Sequence, residues 1–229
     1  MAKIKAIVFA YHTVGVKCLE ALVKAGIDIP LVISHEDSPG ENIWFMSVRD
    51  FCSEHKIKCI TPENANSPEL LADISAIAPD YIFSFYYRNM LPVSILKCAK
   101  IAALNMHGSL LPKYRGRVPV NWAVLHGETQ TGATLHIMEE KPDAGDIVSQ
   151  KAIPIRSDET AFQVFGNVAN AAQEALIEVL PELIQGNVPK RPNRLQEGSY
   201  FGGCKPEDGR IDWSRPAQEV YNLYRAVAP

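Results

Sequence analysis

Asn105 and His107, two positions apart at the end of the apolar run 101–106, have the side chains that acyl transfer requires. Alternate residues of a strand face the same side, so the amide and the imidazole would share one face. An amide N–H can hold the oxyanion of a tetrahedral intermediate, and an imidazole can move a proton near neutral pH. Gly108, next in the chain, permits an unusual backbone turn. Taken locally, the pair is also consistent with a strand end whose polar side chains satisfy loop backbone groups. Gly108-Ser109-Leu110 lacks the second glycine of a nucleophile elbow, which argues against a serine nucleophile.

Such a pair needs a frame to position it. Apolar runs over residues 4–10, 29–34, 58–60, 81–85 and 101–106 predict strands. Residues 14–24 and 45–55 predict helices between them. A further helix opens at Ser67-Pro68, with Ser67 as N-cap and Pro68 in the first helical position. Ser38-Pro39-Gly40 marks a turn. This alternation predicts an α/β fold with a doubly wound, mostly parallel sheet. Ligands in such sheets bind beyond the carboxyl ends of the strands, here Tyr11-His12, residues 84–88 and residues 105–111. Residues 134–138 and 147–155 predict two more strands around the loop 139–146, and 158–183 a long helix with Asp158 and Glu159 at its start. From Gly186 the composition turns to Pro, Asn, Arg and Gly, giving a catalytic unit over 1–190, then a linker and the start of a second unit over 191–229. Residues 210–229 predict a last helical stretch.

Bulk properties narrow the class. The formal charge of −3 over 229 residues lacks the basic excess of a chain that grips extended nucleic acid. The N-terminal apolar run is too short for a signal peptide, and no run reaches the roughly 18 apolar residues of a membrane span. Cys18, Cys52, Cys59, Cys98 and Cys204 form no CxxC pair and are odd in number, as expected of reduced thiols in a cytoplasmic protein. No Cys/His cluster has zinc spacing, so a metal-free protein is expected. The first strand-to-helix turn carries only Gly15, against a dinucleotide site, and no phosphate-binding loop motif occurs.

Asn105-x-His107-Gly108-Ser109-Leu110-Leu111-Pro112 followed by Arg115-Gly116 closely resembles the signature of the folate-dependent formyltransferases. Thr131-Gly132-Ala133-Thr134 and Asp143-Ala144-Gly145-Asp146-Ile147 match its second motif, and the resemblance runs from residue 3 to about 229. That family includes methionyl-tRNA formyltransferase, the nucleotide-sugar N-formyltransferases and glycinamide ribonucleotide formyltransferase. The resemblance implies a Rossmann-like fold and transfer of a formyl group from 10-formyltetrahydrofolate to a primary amine, without a metal. It implies that Asn105 stabilises the oxyanion, that His107 transfers the proton, and that Asp143 orients His107 and raises its pKa. It also places the folate against Asn89, Met90, Leu91, Arg117, Glu139, Glu140, Lys141, Pro142 and Asp143. The family normally continues past residue 229 into a small β-rich subdomain, which implies a truncated chain.

The acceptor follows from departures within the family. The tRNA enzymes usually carry a basic insertion after the second strand; here residues 35–44 hold Glu36, Asp37 and Glu41 with no Lys or Arg, a composition that repels RNA phosphate. Phe9-Ala10-Tyr11-His12, residues 83–88 and residues 112–122 closely resemble the formyltransferase domains of bifunctional polymyxin-resistance enzymes of lipid A modification. Those domains act on UDP-4-amino-4-deoxy-L-arabinose. The implied partner is therefore a nucleotide-linked amino sugar, with no nucleic acid and no membrane. Tyr11, His12, Tyr86 and Tyr87 could stack on its rings, while Lys113 and Arg115 could meet a diphosphate. Methionyl-tRNA is the alternative acceptor, and a non-catalytic folate- or nucleotide-binding domain a third reading. Oligomeric state is not legible.

Overall fold

The structure, a computed structural model, describes residues 3–38, 40 and 42–228. Pro39 of the predicted turn, Glu41 of the acidic segment and Pro229 of the last helical stretch lie outside the described residues. The elements in chain order are β1 (Lys5–Ala10), α1 (His12–Lys24), β2 (Asp28–Ile33), α2 (Val48–Glu54), β3 (Cys59–Ile60), α3 (Pro68–Ile77), β4 (Tyr81–Phe85) and α4 (Val93–Leu96). There follow β5 (Ala102–His107), β6 (Arg115–Gly116), α5 (Pro119–Leu125), β7 (Gln130–Ile137), β8 (Ile147–Pro154), α6 (Ala161–Ile184), β9 (Tyr200–Phe201) and α7 (Ala217–Val227).

Seven strands form one sheet in the order β3-β2-β1-β4-β5-β7-β8. The first five are parallel, while β7 runs antiparallel to β5 and β8 antiparallel to β7. The order reverses between β1 and β4, the switch point at which doubly wound sheets open a crevice. The near-continuous apolar character of β1 arises because helices cover both faces. Ile7 and Phe9 enter one core layer with Leu31, Ile74, Ile82 and Ile95. Ala6, Val8 and Ala10 enter the other with Leu19, Leu22, Val164 and Leu176. Each buried Val, Leu or Ile among them contributes about 1.5–3 kcal/mol by its removal from water.

Helix starts follow their caps. The Ser67 hydroxyl accepts from the Leu70 N–H at 3.2 Å, as its sequence position implies. α6 begins at Ala161 rather than 158, because Thr160 and Gln163 form a reciprocal capping box there. α2 begins at Val48, behind a Ser47 cap, and not at 45. Phe45 instead leaves the helical path to stack on His12, ring centroids 3.9 Å apart. Residues beyond 190 pack back onto the sheet domain. β9 pairs with β6, Asn121 donates to the Ala226 carbonyl at 2.7 Å, and the buried Arg225 guanidinium donates to the Glu159 carbonyl at 2.9 Å.

Candidate active site

The carboxyl ends of β4 and β5 open into a cleft of about 340 Å³. Tyr87, Arg88, Asn89, Met90 and Leu91 form one wall as the chain leaves β4. Asn105, His107, His136 and Asp143 meet in it, with Arg117, Met138, Glu139 and Pro142 beside them. Asn105 and His107 share a face of β5 as their spacing requires. His136 arrives from β7, whose antiparallel register sets it directly opposite Asn105.

His107 is 6% exposed and both of its ring nitrogens face acceptors. Nε2 lies 2.8 Å from the Tyr114 carbonyl oxygen and therefore donates to it. Nδ1 lies 3.5 Å from Asp143 Oδ1. The doubly protonated ring thus matches both neighbours, but burial opposes the charge. Burial pushes the His107 pKa down and Asp143 pushes it up, with burial the larger effect, so the net direction is downward. The upward push expected from Asp143 is present but outweighed. Burial likewise works to raise Asp143, yet His107 and the Gly116 N–H hold this carboxyl well below the usual carboxylate range.

One carboxylate serves two imidazoles. Asp143 Oδ1 is 3.5 Å from His107 Nδ1 and 3.4 Å from His136 Nε2, and Oδ2 accepts the Gly116 N–H at 2.8 Å. Asp143 sits at φ 50, a conformation fixed by Asn193, whose amide donates to the Asp143 and Gly145 carbonyls at 3.0 and 3.2 Å. Gly145 is needed because a Cβ there would stand 2.2 Å from the Ile137 carbonyl oxygen. His136 Nδ1 lies 2.8 Å from that same oxygen and donates to it, which leaves Nε2 to accept from Asn105 Nδ2 at 3.0 Å. The second N–H of the Asn105 amide remains for a ligand in the cleft.

The loop between His107 and Arg115 is pinned from below. The Thr134 hydroxyl donates to the Ser109 carbonyl at 2.6 Å and accepts the Leu111 N–H at 3.2 Å. The Ser109 side chain is fully buried and donates to the Lys113 carbonyl at 2.7 Å, a structural role rather than that of a nucleophile. Gly108 is required by close approach: a Cβ would stand 1.9 Å from Tyr86 Oη. Its φ is not in the left-handed region, so the unusual turn expected there is not the reason.

The remaining sequence-derived residues divide three ways. Asn89, Met90, Leu91, Arg117, Glu139, Pro142 and Asp143 line the cleft, while the neighbouring Glu140 and Lys141 do not. His12 and Tyr86 line an adjoining cavity of about 600 Å³ with Trp44, Phe162, Phe165 and Val118, and among the described residues no Asp, Glu, Lys or Arg is in its wall. The two cavities abut, since Tyr86 and Val118 face one while Tyr87 and Arg117 face the other. Tyr11 is buried and donates to Asp37 at 2.6 Å. Lys113 pairs with Glu128 at 3.3 Å and Arg115 is buried beside the Tyr200 ring, so neither lines a cavity. Glu36 is paired with Arg49, which offsets one charge of the acidic segment, and Asp37 accepts from Tyr11. Sequence reasoning missed His136, for which the alternation Thr134, His136 in a strand was the only signal.

A side-chain amide, a buried histidine and its carboxylate at the carboxyl ends of β4 and β5 are the groups that an enzyme of the acyl-transfer class requires. The chain belongs to the formyl transferase family, whose model matches residues 2–180, and the model of the family's C-terminal domain matches residues 204–229. Solved structures agree in fold. The N-formyltransferase from Helicobacter canadensis, in complex with folinic acid and dTDP-3-aminofucose, is 23% identical over 97% of this chain and 80% of its own, with a TM-score of 0.77. WlaRD, a sugar 3N-formyltransferase determined with dTDP and 5-N-formyl-THF, is 22% identical over 99% and 80%, with a TM-score of 0.78. A 4-N formyltransferase from Francisella tularensis is 20% identical over 97% and 87%, with a TM-score of 0.74.

Proposed function

We propose that this enzyme transfers the formyl group of 10-formyltetrahydrofolate to the primary amine of a nucleotide-linked amino sugar, UDP-4-amino-4-deoxy-L-arabinose being the specific acceptor. The observation that carries the reading is the connected cluster of Asn105, His136, Asp143 and His107 on the floor of the cleft. The cleft suits a flat heteroaromatic co-substrate: Tyr87, Met90, Leu91, Leu96 and Met138 supply apolar wall, and the cluster lies where the formyl carbon would have to sit. The neutral amine attacks that carbon, and the free N–H of Asn105 holds the oxygen as it becomes negative. The attacking nitrogen loses a proton, the folate nitrogen gains one as the C–N bond breaks, and His107 Nδ1 handles the exchange. Its contact with Asp143 is the longer of its two and leaves it the more accessible nitrogen. Asp143 makes the transient imidazolium tolerable in a buried site.

The choice of acceptor rests on the resemblance of residues 9–12, 83–88 and 112–122, and on the ring-lined cavity beside the catalytic cleft, which suits a base or sugar ring rather than an RNA backbone. Its similarity in fold to enzymes solved with dTDP and dTDP-3-aminofucose supports the same acceptor class. The test is formyl transfer followed by mass spectrometry, with UDP-4-amino-4-deoxy-L-arabinose, several dTDP-amino sugars and methionyl-tRNA as acceptors. The first should gain one formyl group fastest. Transfer to methionyl-tRNA alone would overturn the acceptor, and a lack of turnover with every amine would overturn the reading as a whole.

A further inference from the structure

We infer that His35 is a positioning residue for the folate, a neutral imidazole that holds the 87–91 wall of the catalytic cleft against the end of the sheet. The inference rests on the folate reading of that cleft. His35 lies just beyond β2 and does not line the cleft itself. Its Nε2 is 3.0 Å from the Arg88 backbone nitrogen. A backbone N–H can only donate, so this ring nitrogen must be unprotonated and accepting. The ring also stacks on Tyr87, centroids 4.1 Å apart at 17°. One side chain thus grips two consecutive residues of the wall, one through its backbone and the other through its ring.

The grip has a foundation. The Tyr11 ring, at the end of β1, meets His35 edge-on at 5.3 Å and 90°. The same ring also meets the Arg88 guanidinium, 4.5 Å from its centroid, and its hydroxyl donates to Asp37 at 2.6 Å. Phe9 of β1 meets the edge of Tyr87 at 5.2 Å. The segments that follow β1, β2 and β4 therefore converge on one imidazole. The wall needs such a tie because the chain turns out of the sheet at Tyr86, whose φ is 59, and the sheet ladder does not extend to Arg88.

Protonation would undo the grip. An imidazolium carries N–H groups on both nitrogens, so Nε2 could no longer accept, and its charge would face Arg88. Burial, and then the Arg88 charge, hold His35 below its ordinary value of 6.5. Among the described residues the nearby carboxylates are engaged elsewhere. Asp37 is taken by Tyr11, and Glu36 pairs with Arg49 and accepts from Thr61, while Tyr11 and Tyr87 face the ring as neutral phenols. As pH falls below the ordinary imidazole value, the wall should loosen and folate affinity should fall.

The test measures the affinity of the wild type, H35F and H35Q for 5-formyltetrahydrofolate by calorimetry, at about pH 8 and about pH 5.5. H35F keeps a ring against Tyr87 but has no acceptor; H35Q supplies an acceptor in place of Nε2 that cannot titrate. At the higher pH, H35F should bind about fivefold more weakly, the scale of one lost hydrogen bond, and H35Q should recover most of that. At the lower pH the wild type should weaken clearly more than H35Q. In turnover the effect should fall on the folate KM more than on kcat or on the acceptor KM. Wild-type affinity in H35F, or identical pH responses in wild type and H35Q, would overturn the inference while leaving the folate reading intact. If H35F does not fold, the comparison of pH responses decides alone. Absence of folate binding by the wild type at both pH values would overturn both.

Discussion

Replacing His136 with Phe tests whether the cluster works as a unit. His136 is 2% exposed and accepts the Asn105 amide at 3.0 Å, so its loss frees that carboxamide to rotate away from the position in which its second N–H meets the oxyanion. Outright removal of an oxyanion donor costs about 10²–10³ in kcat. Loss of the orienting hydrogen bond alone, about 1 kcal/mol, accounts for roughly a fivefold effect. H136F also changes the packing against Asp143, and the combined expectation is a fall in kcat of about 10–100-fold. N105A should fall by about 10²–10³. If His136 acts chiefly through Asn105, H136F added to N105A should cost only a few-fold more, a coupling of about 1–2 kcal/mol. The assay is kcat at saturating folate and acceptor, with circular dichroism to establish that each variant is folded. H136F at wild-type rate, or strict additivity in the double variant, would refute the reasoning.

Four further expectations follow from the same geometry. D143N should lower turnover by about 10²–10⁴ while 5-formyltetrahydrofolate binding survives, and loss of binding in step with turnover would count against a proton-transfer role. Because the folded Asp143 pKa is depressed below 3.8, its ionisation stabilises the fold above that value and the benefit is lost as pH falls through and below it; urea midpoints should therefore drop less steeply in D143N than in wild type on acidification below about pH 4. G108A should destabilise by about 1–3 kcal/mol through the contact with Tyr86 Oη, and Y86F should recover part of that, as thermal melts would show. If the aromatic cavity seats a ring of the acceptor, UDP should quench Trp44 emission, read as the difference between wild type and W44F, and F162A should raise the acceptor KM without moving the folate KM.

The legible parts of the fold were those that depend on local sequence. β4 could be placed to the residue because it is a short apolar run between polar neighbours, and α3 because Ser67 and Pro68 announce it. Asn105 and His107 were legible as a pair because strand period two needs no tertiary knowledge. Asp143 entered only by resemblance to a family, since its distance from His107 depends on the β7–β8 hairpin folding back. His136 and His35 were missed for the same reason. Each becomes functional through a partner on another strand or loop, Asn105 in one case and Arg88 in the other, and strand register is not written in either segment alone. Lys113 and Arg115 were overvalued because a cation in a motif does not disclose that Glu128 or a tyrosine ring already holds it.

Burial and proton transfer make opposing demands on this cluster, and its charge balance reconciles them. A buried imidazole alone resists protonation, and a buried carboxylate alone resists ionisation. Placed 3.5 Å apart, the two carry one negative charge while His107 is neutral and one of each sign once it is protonated, so a proton can arrive at His107 without leaving net charge in the cleft. The Gly116 N–H keeps Asp143 ionised between turnovers, so the arriving proton settles on the histidine rather than on the carboxylate. An asparagine at 143 would keep the shape and forfeit that balance. His107 would then have to carry a charge in a buried site where burial and Arg115 both oppose it, which is why D143N should damage turnover far more than it damages binding.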